Sequence, residues 1–446
     1  MDLVNGPVAK TLVLFSFPFV FSTLLQTLYS TTDTIVVGQV LGSSGLAAVA
    51  NASQLMQIAY MLVIGFSTAG QVLIAQASGA GKTEKLQQVI GTLFWLEVIM
   101  CLLASFICAV FASQLLSLMG TPPEAYEQAR WYVMVCGGGM IFTGFYNMFS
   151  AILRGMGDSR HPLLFVVIAT AVNIVLDILF VAYFHWSVAG AALATVIGQA
   201  VSVLFSVVFF FQNEERLGLR LHVQDLRAER AAMRQIIELG IPMAFQSAAV
   251  AFSFLFVVSM VNTLGVHVSA AFGVMQKIRQ IPGFITQGFG LGTASMIGQN
   301  LGANRKDRVS KCVLTCIGCS AVIDAMAGIL YIFTPELCFQ LFTQDRNVLS
   351  MAILCCTAMA IELPANVFMP ACNNLVSAQG FVKLSFAVSL TDAFAGRVFL
   401  CWLLGIKLGF GAMGMFIGYI GGTYITSVIV SFYFFSGLWK KRSTLL

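Results

Sequence analysis

Six carboxylates lie inside long apolar stretches of this chain: Asp33, Glu97, Asp177, Asp324, Glu362 and Asp392. An ionisable group at membrane depth costs about 2.5–3.5 kcal/mol on insertion scales, so each is a candidate for ion or proton chemistry. Asp177 is the strongest. It stands fifteen residues beyond Pro162, about 22 Å along a helix that rises about 1.5 Å per residue. Asn173 precedes it by one turn on the same face, and Thr170 by another. Burial disfavours the charged form of a carboxylate, so an acid beside an amide and a hydroxyl suits a proton carrier. The same oxygens suit Na+, and they also suit a structural hydrogen bond between helices.

Asp33 follows the polar run Tyr29-Ser30-Thr31-Thr32 near the outer end of the first apolar stretch, where an ordinary helix-end carboxylate also sits. A second set, Glu362, Asp392 and Arg397, lies in the C-terminal half as a candidate cation or substrate site. At five residues apart, Asp392 and Arg397 are expected to miss the i,i+4 pairing of an α-helix, leaving Arg397 to neutralise an acid on another helix. Lys277 and Arg279 add two bases, which either pair with these acids or snorkel to the interface.

These groups need a scaffold solvated by lipid. Hydrophobic residues make up 58% of the chain and charged residues 10%, against about 45–50% and about 25% in soluble domains. Apolar windows of about 20 residues or more mark spanning helices. They fall near 11–37, 46–77, 88–112, 128–152, 162–184, 188–212, 236–263, 269–299, 309–333, 348–376, 382–405 and 411–437. The first window is too long for a cleaved signal core and no small-residue cleavage site follows it, so it reads as a span.

The stretch 41–80 recurs at 264–303. Without a gap, twelve of the forty aligned positions are identical, including Gln57/Gln280, Gly65/Gly288 and Phe66/Phe289. Such a self-match implies two six-helix repeats. The organisation expected is an all-α membrane protein with an N-lobe over 1–213, a cytoplasmic linker over 214–234 and a C-lobe over 235–446. The linker suits either an interfacial helix or a plain solvated connection. Alternate connections carry eighteen of the 24 basic residues, among them Lys82, Lys85, Arg154, Arg160, Arg220, Arg305 and Lys440. The positive-inside rule then puts both termini in the cytoplasm and makes the two repeats parallel. At the repeat offset Asp33 faces Phe256 and Asp177 faces Leu400, so this acid pair belongs to one half alone. The two repeat copies carry no acid of their own and are expected to pack and rock.

Other chemistries are poorly supplied. The eleven cysteines are odd in number and scattered through apolar runs, which argues against a disulfide framework. Cys312, Cys316 and Cys319 share one face of an apolar helix and have no loop to wrap a metal. The glycine runs at 137–139 and 288–292 follow no strand, so they read as helix contacts rather than phosphate loops. No enzyme, cofactor or nucleic-acid partner is expected.

The runs D-T-I-V-V-G-Q-V-L-G at 33–42, R-G-M-G-D-S-R-H-P at 154–162 and N-I-V-L-D at 173–177 form a pattern with two paired helix ends. Those ends are A-Q-A-S-G-A at 75–80 and G-Q-N-L-G-A at 298–303. In this pattern the chain resembles the multidrug and toxic compound extrusion (MATE) family over its whole length. The resemblance implies twelve transmembrane helices around a central cavity, in a monomer of the cytoplasmic membrane that exports amphipathic, often cationic drugs. It implies H+ coupling ahead of Na+, and it adds Asp33 and Thr195 to Asn173 and Asp177 as a coupling site. Pro18, near-equivalent to Pro242, would be the hinge of a bending first helix. The rival is a lipid-linked sugar flippase or polysaccharide exporter of the same superfamily, for which the three intramembrane bases are few.

Overall fold

The computed structural model describes residues 1–218, 226–442, 444 and 445, and among these it is helical with no strand. The major helices are α1 (Val8–Gly79), α2 (Thr83–Leu118), α3 (Pro123–Gly138), α4 (Met140–Gly155), α5 (Arg160–Asp177) and α6 (Ser187–Gln212). The second half holds α7 (Arg230–Asn262), α8 (Val266–Gly302), α9 (Lys306–Phe333), α10 (Ala352–Ala378), α11 (Val382–Leu390) and α12 (Gly411–Phe435). Wide π-helical turns extend α5 over Ile178–Tyr183, and extend α11 over Thr391–Val398 and Cys401–Lys407.

Nine helices among the described residues are long and apolar enough to cross a membrane, or ten when α3 and α4, bent by 48°, count as one span. Two further spans come from α1 and α8. The 72 residues of α1 would reach about 108 Å at about 1.5 Å per residue, far beyond a hydrocarbon core of about 30 Å. The helix breaks at Gly42 (φ 67°, ψ −157°), a backbone conformation that only glycine adopts freely, so α1 holds two spans. In α8 the basic pair Lys277 and Arg279 and a series of side-chain amides lower the hydropathy. This accounts for all twelve expected spans. Of the expected linker, Glu214–Leu217 forms a single turn ending at a left-handed Gly218; residues 219–225, Arg220 included, lie outside the described residues.

The repeat is written in the backbone. At the 223-residue offset Gly42 (φ 67°) matches Gly265 (φ 103°), and Gly157 (φ 87°) matches Gly380 (φ 62°). The π-helical turn at Ile178–Tyr183 likewise returns at Cys401–Lys407. Positive-φ glycines recurring at equal spacing are what a duplicated chain leaves behind.

Packing divides the chain into two compact units, one holding Phe21–Ala244 with Met1, the other Asp2–Val20 with Phe245–Leu445. The division expected from the connections follows the chain, whereas the division by packing falls inside α1 and α7, two residues after Pro18 and Pro242. Two glycines hold these helix starts. In the first unit a Cβ on Gly65 would lie 3.0 Å from the Gly240 carbonyl and from the Ala244 Cβ. In the second, a Cβ on Gly288 would lie 2.6 Å from the Val20 backbone nitrogen. The Gly65/Gly288 identity is therefore a packing requirement. Leu12, Phe15 and Phe19 are buried in the second unit with Met296, Ile297, Cys312 and Cys316, so those two cysteines serve as apolar filler there.

Candidate functional site

Within the first unit lies a cavity of ≈ 330 Å³, lined by Asp33, Thr170, Asn173 and Thr195 together with Tyr29, Tyr60, Tyr132 and Tyr146. Asp33, on α1, is 7% exposed, and its Oδ1 is buried without a hydrogen-bond partner. One turn earlier, Tyr29 donates its hydroxyl to Thr195 Oγ1 on α6 at 3.0 Å. The Asn173 amide, turned to satisfy both neighbours, accepts from the Thr195 backbone N–H at 3.2 Å and donates to Asp177 Oδ2 at 2.9 Å. A relay thus runs from Tyr29 through Thr195 and Asn173 to Asp177, linking α1, α6 and α5.

Asp177 itself is fully buried and does not line the cavity; Asn173 and Thr170 form the wall. Its Oδ1 has no partner, and the π-helical turn begins at the next residue. Such turns release backbone groups from the regular ladder and concentrate at functional positions. Among the described residues neither Asp33 nor Asp177 takes part in an ion pair. The structure therefore brings Asp33, Asn173 and Thr195 to one cavity, with Asp177 behind its wall and bonded to Asn173. Glu97, on α2, is also buried, and it accepts from Ser67 away from the cavity wall.

The second unit holds a cavity of ≈ 580 Å³ lined by Arg279, Asp324, Glu362 and Asn366 among others. Here charge is paired. Arg279 donates to Glu362 through Nε at 2.6 Å and Nη2 at 2.5 Å, and Thr423 adds a third bond to the same carboxylate at 2.8 Å. A two-pronged guanidinium–carboxylate fork is the strong form of such a pair. Arg279 is thus committed to an acid, while Lys277 is exposed.

Arg397 corrects the expectation from spacing. Its Nη2 lies 2.9 Å from Asp392 Oδ2 on the same helix, five residues away. The span Thr391–Val398 is π-helical, and its wider turn brings i and i+5 to one face. The Tyr419 ring lies between the two bases, 5.4 Å from the Arg279 guanidinium carbon and 5.2 Å from that of Arg397.

The two cavities are images of one another in the repeat. Gln57 and Gln280 line the first and second cavity at the same offset, as do Met56 and Arg279, Cys136 and Met359, and Thr143 and Asn366. The repeat copies therefore build cavity walls, which corrects their expected confinement to packing. Of the lining tyrosines, Tyr60, Tyr132 and Tyr146 carried no signal in spacing or in the repeat. Only Tyr29, in the polar run before Asp33, was marked.

The comparisons with known proteins agree with this architecture. The MatE family model matches the chain twice, over residues 18–179 and 242–403, each match opening at one of the two prolines. The probable multidrug resistance protein YoeA of Bacillus subtilis (strain 168) is 25% identical over 441 residues, covering 97% of this chain and 94% of that protein. The probable multidrug resistance protein YpnP of the same organism is 30% identical over 310 residues, covering 69% of this chain and 68% of that protein. A crystal structure of MATE in the straight conformation shares the fold at TM-score 0.92, with 22% identity and 99% of both chains covered. With a duplicated helical scaffold and a family match over more than half of its residues, the chain belongs to the MatE family, the multidrug and toxic compound extrusion transporters.

Proposed function

We propose that this chain is a cation-coupled antiporter of the cytoplasmic membrane, with both termini cytoplasmic, that exports amphipathic, often cationic organic compounds by alternating access. The observation that carries this reading is the pair of buried carboxylates, Asp33 and Asp177, around one cavity with no counter-ion among the described residues. A buried carboxylate is tolerated when it is neutralised, and a cation arriving from the cavity neutralises it. The relatives named for multidrug resistance support the substrate class.

Protons are taken ahead of Na+ because Asp177 Oδ1 is buried without a partner, and a proton needs only that one oxygen where a hard cation wants several. Asp33, Asn173, Asp177 and Thr195 form the coupling site in this reading. Pro18 and Pro242 act as hinges, because packing passes from one unit to the other two residues beyond each. Coupling requires each ligand to bind the two transport states with different affinity. One inward charge supplies about 2.3 kcal/mol per 100 mV, enough to sustain a substantial gradient of exported compound. The pairing of Arg279 with Glu362 and of Arg397 with Asp392 disfavours the lipid-linked sugar alternative, which calls for bases free to meet a diphosphate.

Efflux of a fluorescent cationic dye from vesicles holding the full-length protein tests the reading, with pH and Na+ gradients imposed separately. Dye should follow the pH gradient in the wild type and lose that dependence in Asp177→Asn. Coupled efflux that survives Asp177→Asn would sink the assignment.

A further inference from the structure

The two halves of the chain close on opposite charges. At the 223-residue offset Glu214-Glu215-Arg216-Leu217-Gly218 ends the first half, and Gly437-Leu438-Trp439-Lys440-Lys441 ends the second. Two turns at the same end follow suit. Thr83 of the first half stands where the second has Lys306, and Asp158 where it has Phe381. The positive-inside rule calls for bases at these connections in both halves. It gives no reason for the acids of one copy to be missing from the other.

Packing holds the second set of bases in place. Trp439, in the short turn Leu438–Lys441, is 1% exposed and stacks on Phe434 at 6.3 Å. Its carbonyl accepts from Gln379 Nε2 at 2.8 Å, and Lys306 at the start of α9 donates to the Lys440 carbonyl at 2.6 Å. Both bonds use backbone oxygens, and the Lys440 and Lys441 side chains remain exposed. Arg442 comes next, its guanidinium carbon 3.8 Å over the Phe381 ring, with Nε buried and without an acceptor. A buried donor left unpaired is costly, and an anionic oxygen relieves it. The acid adjoining Lys306 in sequence, Asp307, lies 3.8 Å from Arg305. Leading up to these bases, Phe432 and Phe435 on α12 and Leu438 beyond it are exposed. An apolar stripe ending in a basic cluster matches a phospholipid, with acyl chains on the rings and an anionic headgroup on the bases. A free anion would use only half of it.

We infer that Lys306, Lys440, Lys441 and Arg442 form a headgroup site for an anionic phospholipid, whose acyl chains lie along Phe432, Phe435 and Leu438. The site belongs to the second half alone. It goes beyond the antiport reading and depends on none of the coupling acids.

Lipid binding to the full-length protein tests this without transport. The protein in a neutral detergent is titrated with phosphatidylglycerol or with phosphatidylcholine, and bound lipid is counted by native mass spectrometry. Wild type should bind phosphatidylglycerol more tightly. Each base near an anionic headgroup is worth roughly fivefold in affinity, so the Lys440→Gln/Lys441→Gln variant should lose roughly tenfold to thirtyfold for that lipid. The Lys82→Gln/Lys85→Gln variant, which takes the same charge from the first half, should bind as wild type does. Equal affinity of wild type for the two lipids overturns the inference, as does unchanged binding by the Lys440/Lys441 variant. An equal loss in both double variants also overturns it, because net charge alone would then set the binding. Displacement of the lipid by inorganic phosphate would make this a site for a free anion and overturn it as well. Should the Lys440/Lys441 variant not fold, Lys441→Gln alone decides, since that side chain is exposed. A roughly threefold to tenfold loss supports the site, and unchanged affinity overturns it.

Discussion

Arg397 and Asp392 meet at 2.9 Å along a single helix although five residues separate them. The pair exists because the backbone between Thr391 and Val398 is π-helical. Arg397→Leu leaves Asp392 buried without its counter-ion and should destabilise the protein by about 3–5 kcal/mol. Adding Asp392→Asn to that variant should recover most of the loss. Thermal unfolding in detergent of the two variants beside wild type measures both changes.

Arg279 offers a sharper contrast, since its fork to Glu362 uses two nitrogens. Arg279→Lys keeps the charge and loses the fork, so it should cost about 1–2 kcal/mol against about 3–5 for Arg279→Leu. Chemical denaturation of the two variants gives the order; equal losses would mean that geometry contributes nothing beyond charge.

The relay from Tyr29 to Asp177 predicts a graded effect on transport. Tyr29→Phe removes one neutral hydrogen bond, worth about 0.5–1.5 kcal/mol, and should slow pH-driven dye efflux by roughly twofold to tenfold. Asn173→Leu removes the one donor to Asp177 among the described residues and should abolish the pH dependence. Initial rates at several external pH values separate the two outcomes.

Packing at the helix starts predicts a different failure. The Cβ in Gly288→Ala meets the Val20 backbone at 2.6 Å, so the start of α1 must move, at about 1–3 kcal/mol. Gly42→Ala meets nothing within 4 Å, and its penalty comes from the positive-φ backbone alone, about 1–3 kcal/mol. Hydrogen exchange of the amides of residues 12–20 should rise in Gly288→Ala and stay at the wild-type level in Gly42→Ala.

Asp2 gives a pH signature at the surface. It accepts from the backbone of Val4 at 2.9 Å and of Asn5 at 3.0 Å. These donors, Asn5 foremost, hold its carboxyl below the usual 3.8. A lowered folded value means the stabilisation is present above the unfolded value and is lost as pH falls through the folded one. Protection of the Val4 and Asn5 amides, relative to intrinsic exchange, should therefore hold at neutral pH and fade below about pH 4. Asp2→Ala should remove that dependence.

Much of this was legible in the residues, and the exceptions share a cause. Helix number, repeat and the Asn173–Asp177 pairing follow from hydropathy and i,i+4 spacing, both local rules. The Asp392–Arg397 pair was misjudged because spacing arguments assume 3.6 residues per turn, and nothing local announced the wider turn. The packing boundaries inside α1 and α7 were hidden because they depend on which helix Gly65 and Gly288 meet, a matter of tertiary contact. Asp324 was one of six intramembrane acids and carried no mark of its own in the sequence. It became distinct only when its neighbours Glu362 and Asp392 proved to be paired with arginines.

The exchanged helix starts bear on how such a chain can be cut. A break in the 214–234 connection would leave residues 2–20 on one fragment and Met296, Ile297 and Cys312, with which Leu12, Phe15 and Phe19 are buried, on the other. Likewise 235–244 would depart from Gly65, against which it is fitted. Neither fragment produced alone would possess a complete interior, while the two made together would supply what each lacks.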